Sequence, residues 1–326
     1  MPDGALCEDW FYTYTDWDDT DEGEEEEAAA SAFWPWLLAL SALYILLGAY
    51  IALQVLPARP GQASSRRMPL YVIIGLVLAF VLRYVIAVRV DGYQVDVNCF
   101  VAWGYTMADS GPGAFYSTTS FCDYPPGYML ILGLNELLAR GLTSLFGGAL
   151  PDMLRRTVLI KLLPMLCDIG LAVLVYHVAS RKKLSRDQAG LLCLLVAFCP
   201  ALICNSAAWC QVDAVLCLLL ALTVWLAVSC RWSLALPVYM LAVLIKPQAL
   251  MAGPVGLAAF LMEFMPGLRH SKSACEQKQP LFGLPERPVW RSMLIGLGAA
   301  LGVAVAVVLP FAVGMGGLGW LFEKYG

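Results

Sequence analysis

Residues 292–313, SMLIGLGAALGVAVAVVLPFAV, run from end to end without a charge. Crossing about 30 Å of hydrocarbon takes about 20 such residues in a helix, so this stretch decides the fold. Working outward from it, similar apolar runs occupy 33–56, 69–90, 157–180, 189–206 and 212–230. The chain has 326 residues, 60% hydrophobic and 14% charged, where soluble domains carry about 45–50% and about 25%. The expected fold is all-α, a polytopic bundle of transmembrane helices in a lipid bilayer. No P-loop, GxGxxG, GxSxG or HExxH pattern stands in a usable context, and nothing points to nucleic acid.

Two stretches, 127–147 and 233–263, are ambiguous by composition. Charge settles them, because Lys and Arg favour cytoplasmic loops. Arg59, Arg66 and Arg67 place the first connection inside, so the chain emerges outside at Asp91. The next basic cluster is Arg181, Lys182, Lys183 and Arg186, and an odd number of crossings must precede it. The run 157–180 supplies one. The run 127–147 holds Asn135, Glu136 and Arg140 and opens at Pro125-Pro126, so it reads as an amphipathic helix lying in the interface. Residues 91–156 then form one large outer loop.

Further on, 189–206 goes out and 212–230 returns to Arg231. The loop 264–291, with Arg269, Lys272, Lys278, Arg287 and Arg291, lies inside. The run 233–263 must therefore begin and end inside, as two short helices with an outer turn at Lys246-Pro247-Gln248. Pro247 disfavours helix at Lys246, which gives that turn a mechanism. Residues 1–32 form an acidic, disordered outer tail, 33–313 the membrane domain, and 314–326 the start of another outer loop in a chain read as truncated.

This topology gathers scattered polar residues on the outer side: Asp96, Asp123, Tyr124, Arg155, Arg156, Asn205, Gln211, Asp213, Lys246 and Gln248. Asp96 suits a general base near the bilayer surface, or is a solvated loop acid. Asp123-Tyr124-Pro125-Pro126-Gly127-Tyr128 reads from its residues as a helix entry with interfacial tyrosines. Gln211 and Asp213 open an apolar run, where they bind something, bind each other or cap a helix. Lys246 interrupts an apolar stretch and needs an anion, with a lipid phosphate and Asp213 as the two candidates. Lys161 and Asp168, seven residues apart in one span, read as a buried structural pair. Cys99 and Cys122 fall in the same outer loop, where an oxidising compartment permits a disulfide.

Taken in order, Asp-Val-Asn-Cys-Phe at 96–100, Phe-Cys-Asp-Tyr-Pro-Pro-Gly-Tyr at 121–128, Trp-Cys-Gln-Val-Asp at 209–213 and Lys-Pro-Gln-Ala at 246–249 resemble the GT-C superfamily of integral membrane glycosyltransferases. The likeness is greatest to bacterial mannosyltransferase-like proteins related to the second GPI mannosyltransferase, and it covers roughly 70–313. The Tyr-Pro-Pro element also looks like that of the lumenal glucosyltransferases of asparagine-linked glycosylation. The resemblance implies a polyprenyl-phosphate sugar as donor and a glycan, lipid or protein as acceptor. Catalysis would be extracytoplasmic, at the plasma membrane of a bacterium or in the endoplasmic reticulum of a eukaryote.

Asp96 matches the family's acidic base, and Lys246 would meet the donor phosphate with Arg155 or Arg156. Tyr124, Asn205, Gln211, Asp213 and Gln248 would complete the binding residues. The family usually carries Gly where this chain has Cys210, which puts a close backbone approach there in doubt. No cofactor is required. If a divalent metal binds, Asp96, Asp123 and Asp213 are its candidate ligands. The competing class is a transporter or flippase that uses Asp168, Lys161 and Lys246 along a path, although no repeat of the transporter kind stands out. A membrane scaffold without catalysis is the third.

Overall fold

The computed structural model describes residues 38–50, 68–119, 121–146, 152–181, 184–264, 289–314, 316–317 and 319. The acidic tail 1–32, nearly all of the loop 264–291 and most of 314–326 lie outside the described residues. Within them every regular element is helical. The helices are α1 (Leu38–Tyr50), α2 (Leu70–Arg89), α3 (Gln94–Ser110), α4 (Pro112–Thr118), α5 (Pro126–Phe146), α6 (Asp152–Arg181), α7 (Arg186–Ala197) and α8 (Pro200–Ile203). A π-helical turn, Cys204–Trp209, continues α8. Then come α9 (Asp213–Val228), α10 (Trp232–Ile245), a 3-10 turn Pro247–Ala252, α11 (Gly253–Phe264) and α12 (Val289–Gly314).

Among the described residues three segments are long and apolar enough to cross a membrane: Leu70–Arg89, Thr157–Arg181 and Trp290–Gly314. The run expected as one span at 189–206 is instead a broken pair, Arg186–Ala197 and Pro200–Trp209, bent by 41°. Counted as one span it brings the total to four. The surface of α12 shows why lipid must surround it. Leu294, Ile295, Leu297, Leu301, Val305 and Leu309 all face outward, a contiguous apolar face that water would not leave uncovered. The 127–147 stretch is the helix α5, which is not among the apolar helices of spanning length. The 233–263 stretch is broken at Lys246, where the backbone is extended at φ −148° and ψ 124°.

The chain divides into two compact units. The first comprises the residues up to Ala102 together with Leu138–Ala214. Its seam is built of small side chains: Ala79 of α2, Ala172 and Ala179 of α6, and Ala189, Cys193 and Ala197 of α7, around Val72 and Tyr176. Lipid gives helices no hydrophobic reason to associate, so close backbone approach through small residues supplies the attraction. At one end, α7 begins with a capping box, Ser185 Oγ accepting from Gln188 N at 3.2 Å and Gln188 Oε1 from Ser185 N at 2.9 Å. There Tyr71 Oη, at the start of α2, donates to Asp187 Oδ1 at 2.8 Å. At the other end, Val90 and Tyr93 meet Lys161 and Trp209. Helix α6 is thus antiparallel to α2, and the broken pair runs parallel to it. The Arg181–Arg186 turn sits at one end, and Asp96 and Gln211 at the other.

The second unit comprises Trp103–Leu137 and Val215 onward. Helices α10 and α12 pack side by side with their starts together, Ser233 N donating to Ser292 Oγ at 3.1 Å. Gly296 lies flat on the Trp232 carbonyl, and the Phe260 ring of α11 meets Trp232 edge-on at 5.7 Å. Cys230, in the turn before α10, has φ 60° and is disulfide-bonded. At the opposite end of this unit, Phe115 of α4 packs edge-on against Phe311 near the end of α12. Within the unit α3 and α5 pack through two glycines. A Cβ at Gly104 would fall 3.2 Å from Leu132 O, and one at Gly133 2.9 Å from Met107 Cβ. Arg231 and Arg291 flank the starts of α10 and α12, while Tyr124 and Lys246 belong to the other end.

Candidate functional site

In the first unit the chain leaves α2, passes Gly92 and re-enters helix at Gln94. Asp96 falls in the first turn of α3, where the positive end of the helix dipole favours a carboxylate. Gln211 Nε2 donates a short hydrogen bond to Asp96 Oδ2, joining two motifs far apart in sequence. The backbone is tied at the same place, Tyr93 N donating to Trp209 O at 3.3 Å, and the Tyr93 and Trp209 rings lie 5.8 Å apart.

Asn205 organises the rest. Its carbonyl accepts from Cys210 N and from Gln211 N, the latter at 3.0 Å. Its Nδ2 donates to Asp213 Oδ2 at 3.2 Å. One π-helical residue therefore fixes both Gln211 and Asp213, and π turns are frequent at functional sites. Cys210 has φ 76° and ψ 29°, the left-handed conformation for which glycine is the usual residue. Gly92 opposite leaves room for its side chain: a Cβ on Gly92, itself at φ 98°, would fall 3.3 Å from the Cys210 Cβ. Burial pushes the Cys210 thiol up to about 12, with Asp96 adding to the rise and Lys161 opposing it.

The expected Lys161–Asp168 pair is not formed. Both side chains are buried, but each has a different partner. Lys161 Nζ donates to Val90 O and, at 3.5 Å, to Ala87 O. The last carbonyl groups of a helix have no partner within it, so Lys161 caps the end of α2 just ahead of Asp96. Asp168 instead pairs with Arg83 of α2, Nε to Oδ2 at 3.0 Å with both side chains fully buried. The sequence reading passed over Arg83. A lone charge inside the run 69–90 was the signal that could have found it, because a charge in a span is paired or functional.

The second unit builds a different surface. The 124–127 motif is seated on the end of α10, where a Cβ at Gly127 would lie 2.5 Å from Leu244 O. Tyr124 packs between Trp103 and Tyr128, with ring centroids 5.9 Å and 5.1 Å away. Trp103 Nε1 is anchored on Phe121 O at 2.9 Å, and Tyr116 Oη on Tyr124 O at 3.3 Å. Lys246 is 8% exposed, and its Nζ stands 5.7 Å from the Tyr124 ring centroid. This is cation–π geometry, stronger as water is excluded. Pro247 explains the extended backbone that turns Lys246 out of α10. Asp123 and Gln248 are exposed.

Cys99 and Cys122, the expected disulfide, are both thiols in this structure. The Cys122 Sγ is turned to Tyr124 O and Met129 instead. Arg155 and Arg156 lie on the first turns of α6, with side chains outside the described residues. Among the described residues no three His, Cys, Asp or Glu gather as a metal site would require, and Asp96, Asp123 and Asp213 do not form such a group. What the arrangement offers chemically is a carboxylate held by a neutral amide in one unit and a buried cation against aromatic rings in the other. No protein-family model, no curated protein and no solved structure matches the chain.

Proposed function

We propose that this chain is a multi-pass membrane glycosyltransferase of the GT-C kind. It would move a sugar, mannose first among the candidates, from a polyprenyl-phosphate donor to an extracytoplasmic acceptor. The observation that carries the reading is the hydrogen bond from Gln211 to Asp96. It supports a base whose carboxylate is oriented by a side-chain amide, a donor that carries no charge of its own. Asp96 would take the proton of the acceptor hydroxyl as its oxygen attacks the sugar C1 from the face opposite the donor phosphate. The bond from C1 to the phosphate oxygen breaks with its electron pair, and the configuration inverts. The second unit separately offers Lys246, with Tyr124 against it, as a cation suited to a lipid phosphate, and Arg155 and Arg156 are further cations of the first unit. Asn205 and Asp213 would bind substrate hydroxyls.

The sidedness follows from charge. In the second unit Arg231 and Arg291 stand at the end opposite the motif residues, and in the first Arg181 and Arg186 do, although Arg89, Arg155 and Arg156 share the motif end; the first two pairs support placing the motif ends outside. The disulfide at Cys230 pulls the other way, since Arg231 would be inside and oxidised sulfur belongs to oxidising compartments. An impermeant thiol reagent applied to Arg140→Cys and Lys183→Cys decides between them. The expected result is labelling of the two from opposite sides, and labelling of both from one side would overturn the topology.

The activity test is sugar transfer in purified membranes, with polyprenyl-phosphate mannose and GDP-mannose compared as donors. Transfer from the lipid donor alone is expected, reduced about 10²- to 10⁴-fold in Asp96→Asn. Transfer that survives the substitution would remove Asp96 as the base. A second reading, a transporter, is favoured by the buried Arg83–Asp168 pair inside spanning helices. Substrate flux across sealed vesicles, lost in Asp168→Asn and accompanied by no transfer, would establish it instead.

A further inference from the structure

The Arg83–Asp168 pair is tied to both halves of the broken helix. Before the break, Arg83 Nη1 donates to the carbonyl of Ala197, the last residue of α7, at 2.6 Å. That carbonyl stands at a helix end and needs a partner from elsewhere. After the break, Ser206 on the π turn donates to Asp168 Oδ2 at 2.6 Å. Arg83 therefore grips one half and Asp168 the other, and their ion pair closes the bracket. The residue beside Ser206 is Asn205, which holds the Gln211 backbone and the Asp213 side chain. Gln211 in turn holds Asp96. A continuous run of hydrogen bonds and covalent neighbours leads from the buried pair to the candidate base, all within the first unit.

We propose that Arg83 and Asp168 are positioning residues. They set the bend between α7 and the π turn, and so place Gln211 against Asp96. The pair is poorly suited to stability alone. Arg83 Nη2 and Asp168 Oδ1 are buried with no hydrogen-bond partner, and a well-packed apolar pair is often at least as stable as a buried ion pair. Its bonds go to the two segments whose relative placement fixes the motif. The proposal concerns the placement of Gln211, and only its activity arm rests on the reading of Asp96 as a base.

Two native cysteines read that placement without any activity. Cys193 of α7 is 0% exposed and Cys210, just past the π turn, is 1% exposed. The full-length chain in membranes is treated with N-ethylmaleimide, and labelling at each cysteine is followed by mass spectrometry. In Asp168→Asn and in Ser206→Ala, Cys210 is expected to label about tenfold faster than in the wild type, the scale set by losing one charge-assisted hydrogen bond. Cys193 should stay protected. Unchanged Cys210 labelling in both variants overturns the proposal. If Asp168→Asn loosens the whole unit and exposes both cysteines, Ser206→Ala decides, because it removes only the tie to the second half. Cys193 labelling in step with Cys210 in that variant also overturns it. In the transfer assay Ser206→Ala should lower kcat and leave KM for the lipid donor unchanged, and an unchanged kcat would refute a role for the bend in the site. If the wild type transfers no sugar, the enzyme reading fails, and the labelling result still judges the placement.

Discussion

The two units each contain an apolar helix broken at the residue before a proline, Cys199 and Lys246, and the breaks differ in what else holds them. In the second unit the break is at Lys246, and its causes are local. Pro247 forces the preceding residue out of helix, and the lysine it displaces stands beside Tyr124. In the first unit the break is at Phe198 and Cys199, and the groups that stabilise it come from other helices: Arg83 from α2 and Asp168 from α6. A break held by distant helices depends on all three being in place.

That difference predicts unequal costs. Asp168→Ala leaves the Arg83 guanidinium buried without its counter-ion, so unfolding in detergent should show a loss of about 3–5 kcal/mol. A loss below about 1 kcal/mol would mean the first break does not lean on the pair. Gly127→Ala attacks the second break through its packing, since the new methyl meets the backbone oxygen of Leu244 and not a side chain able to move. Overpacking of this kind should cost about 1–3 kcal/mol in the same measurement. Lys246→Met keeps the apolar stem and removes the charge. It should change stability by no more than about 2 kcal/mol, the scale of a desolvated cation–π contact, while weakening binding of the lipid-phosphate donor. A large stability loss there would erase the contrast between the breaks. Smallest of all, Cys210→Gly relieves a left-handed residue worth about 1–2 kcal/mol and gives up a small buried side chain. The two effects oppose, so the net change should stay within about 1 kcal/mol, with labelling of Cys193 unaffected.

The same contrast explains what was legible in the sequence. Apolar length announced the spanning helices α2, α6 and α12, and Pro247 beside Lys246 announced the second break, because both signals are local. The break at Cys199 went unread, although Pro200 gives it the same local signal. Pro200 sits inside a run of uniform hydrophobicity, and the residues that stabilise the bend lie in two other spans. Lys161 and Asp168 invited pairing by their spacing on one helix, yet each found its partner on α2, where Arg83 and the carbonyl groups of the last turn were closer to hand. At the candidate site Gln211 and Asp96 were both legible as polar residues in apolar company, but not as partners. Trp103 went unremarked and Tyr128 was read only as an interfacial tyrosine, because a single aromatic near an interface is ordinary. What made them a wall around Tyr124 was the packing of α3 on α5 through Gly104 and Gly133.

The seat of Gly127 on Leu244 also sets a timetable. More than a hundred residues separate the two in the chain, and ribosomes add about 5–20 residues per second. The Tyr-Pro-Pro-Gly motif is therefore synthesised about 6 to 23 seconds before the helix it rests on exists. Every residue of the first unit, which ends at Ala214, is made by then. Assembly is thus staggered, with the Asp96–Gln211 contact able to form while the aromatic surface around Lys246 is still waiting for its floor.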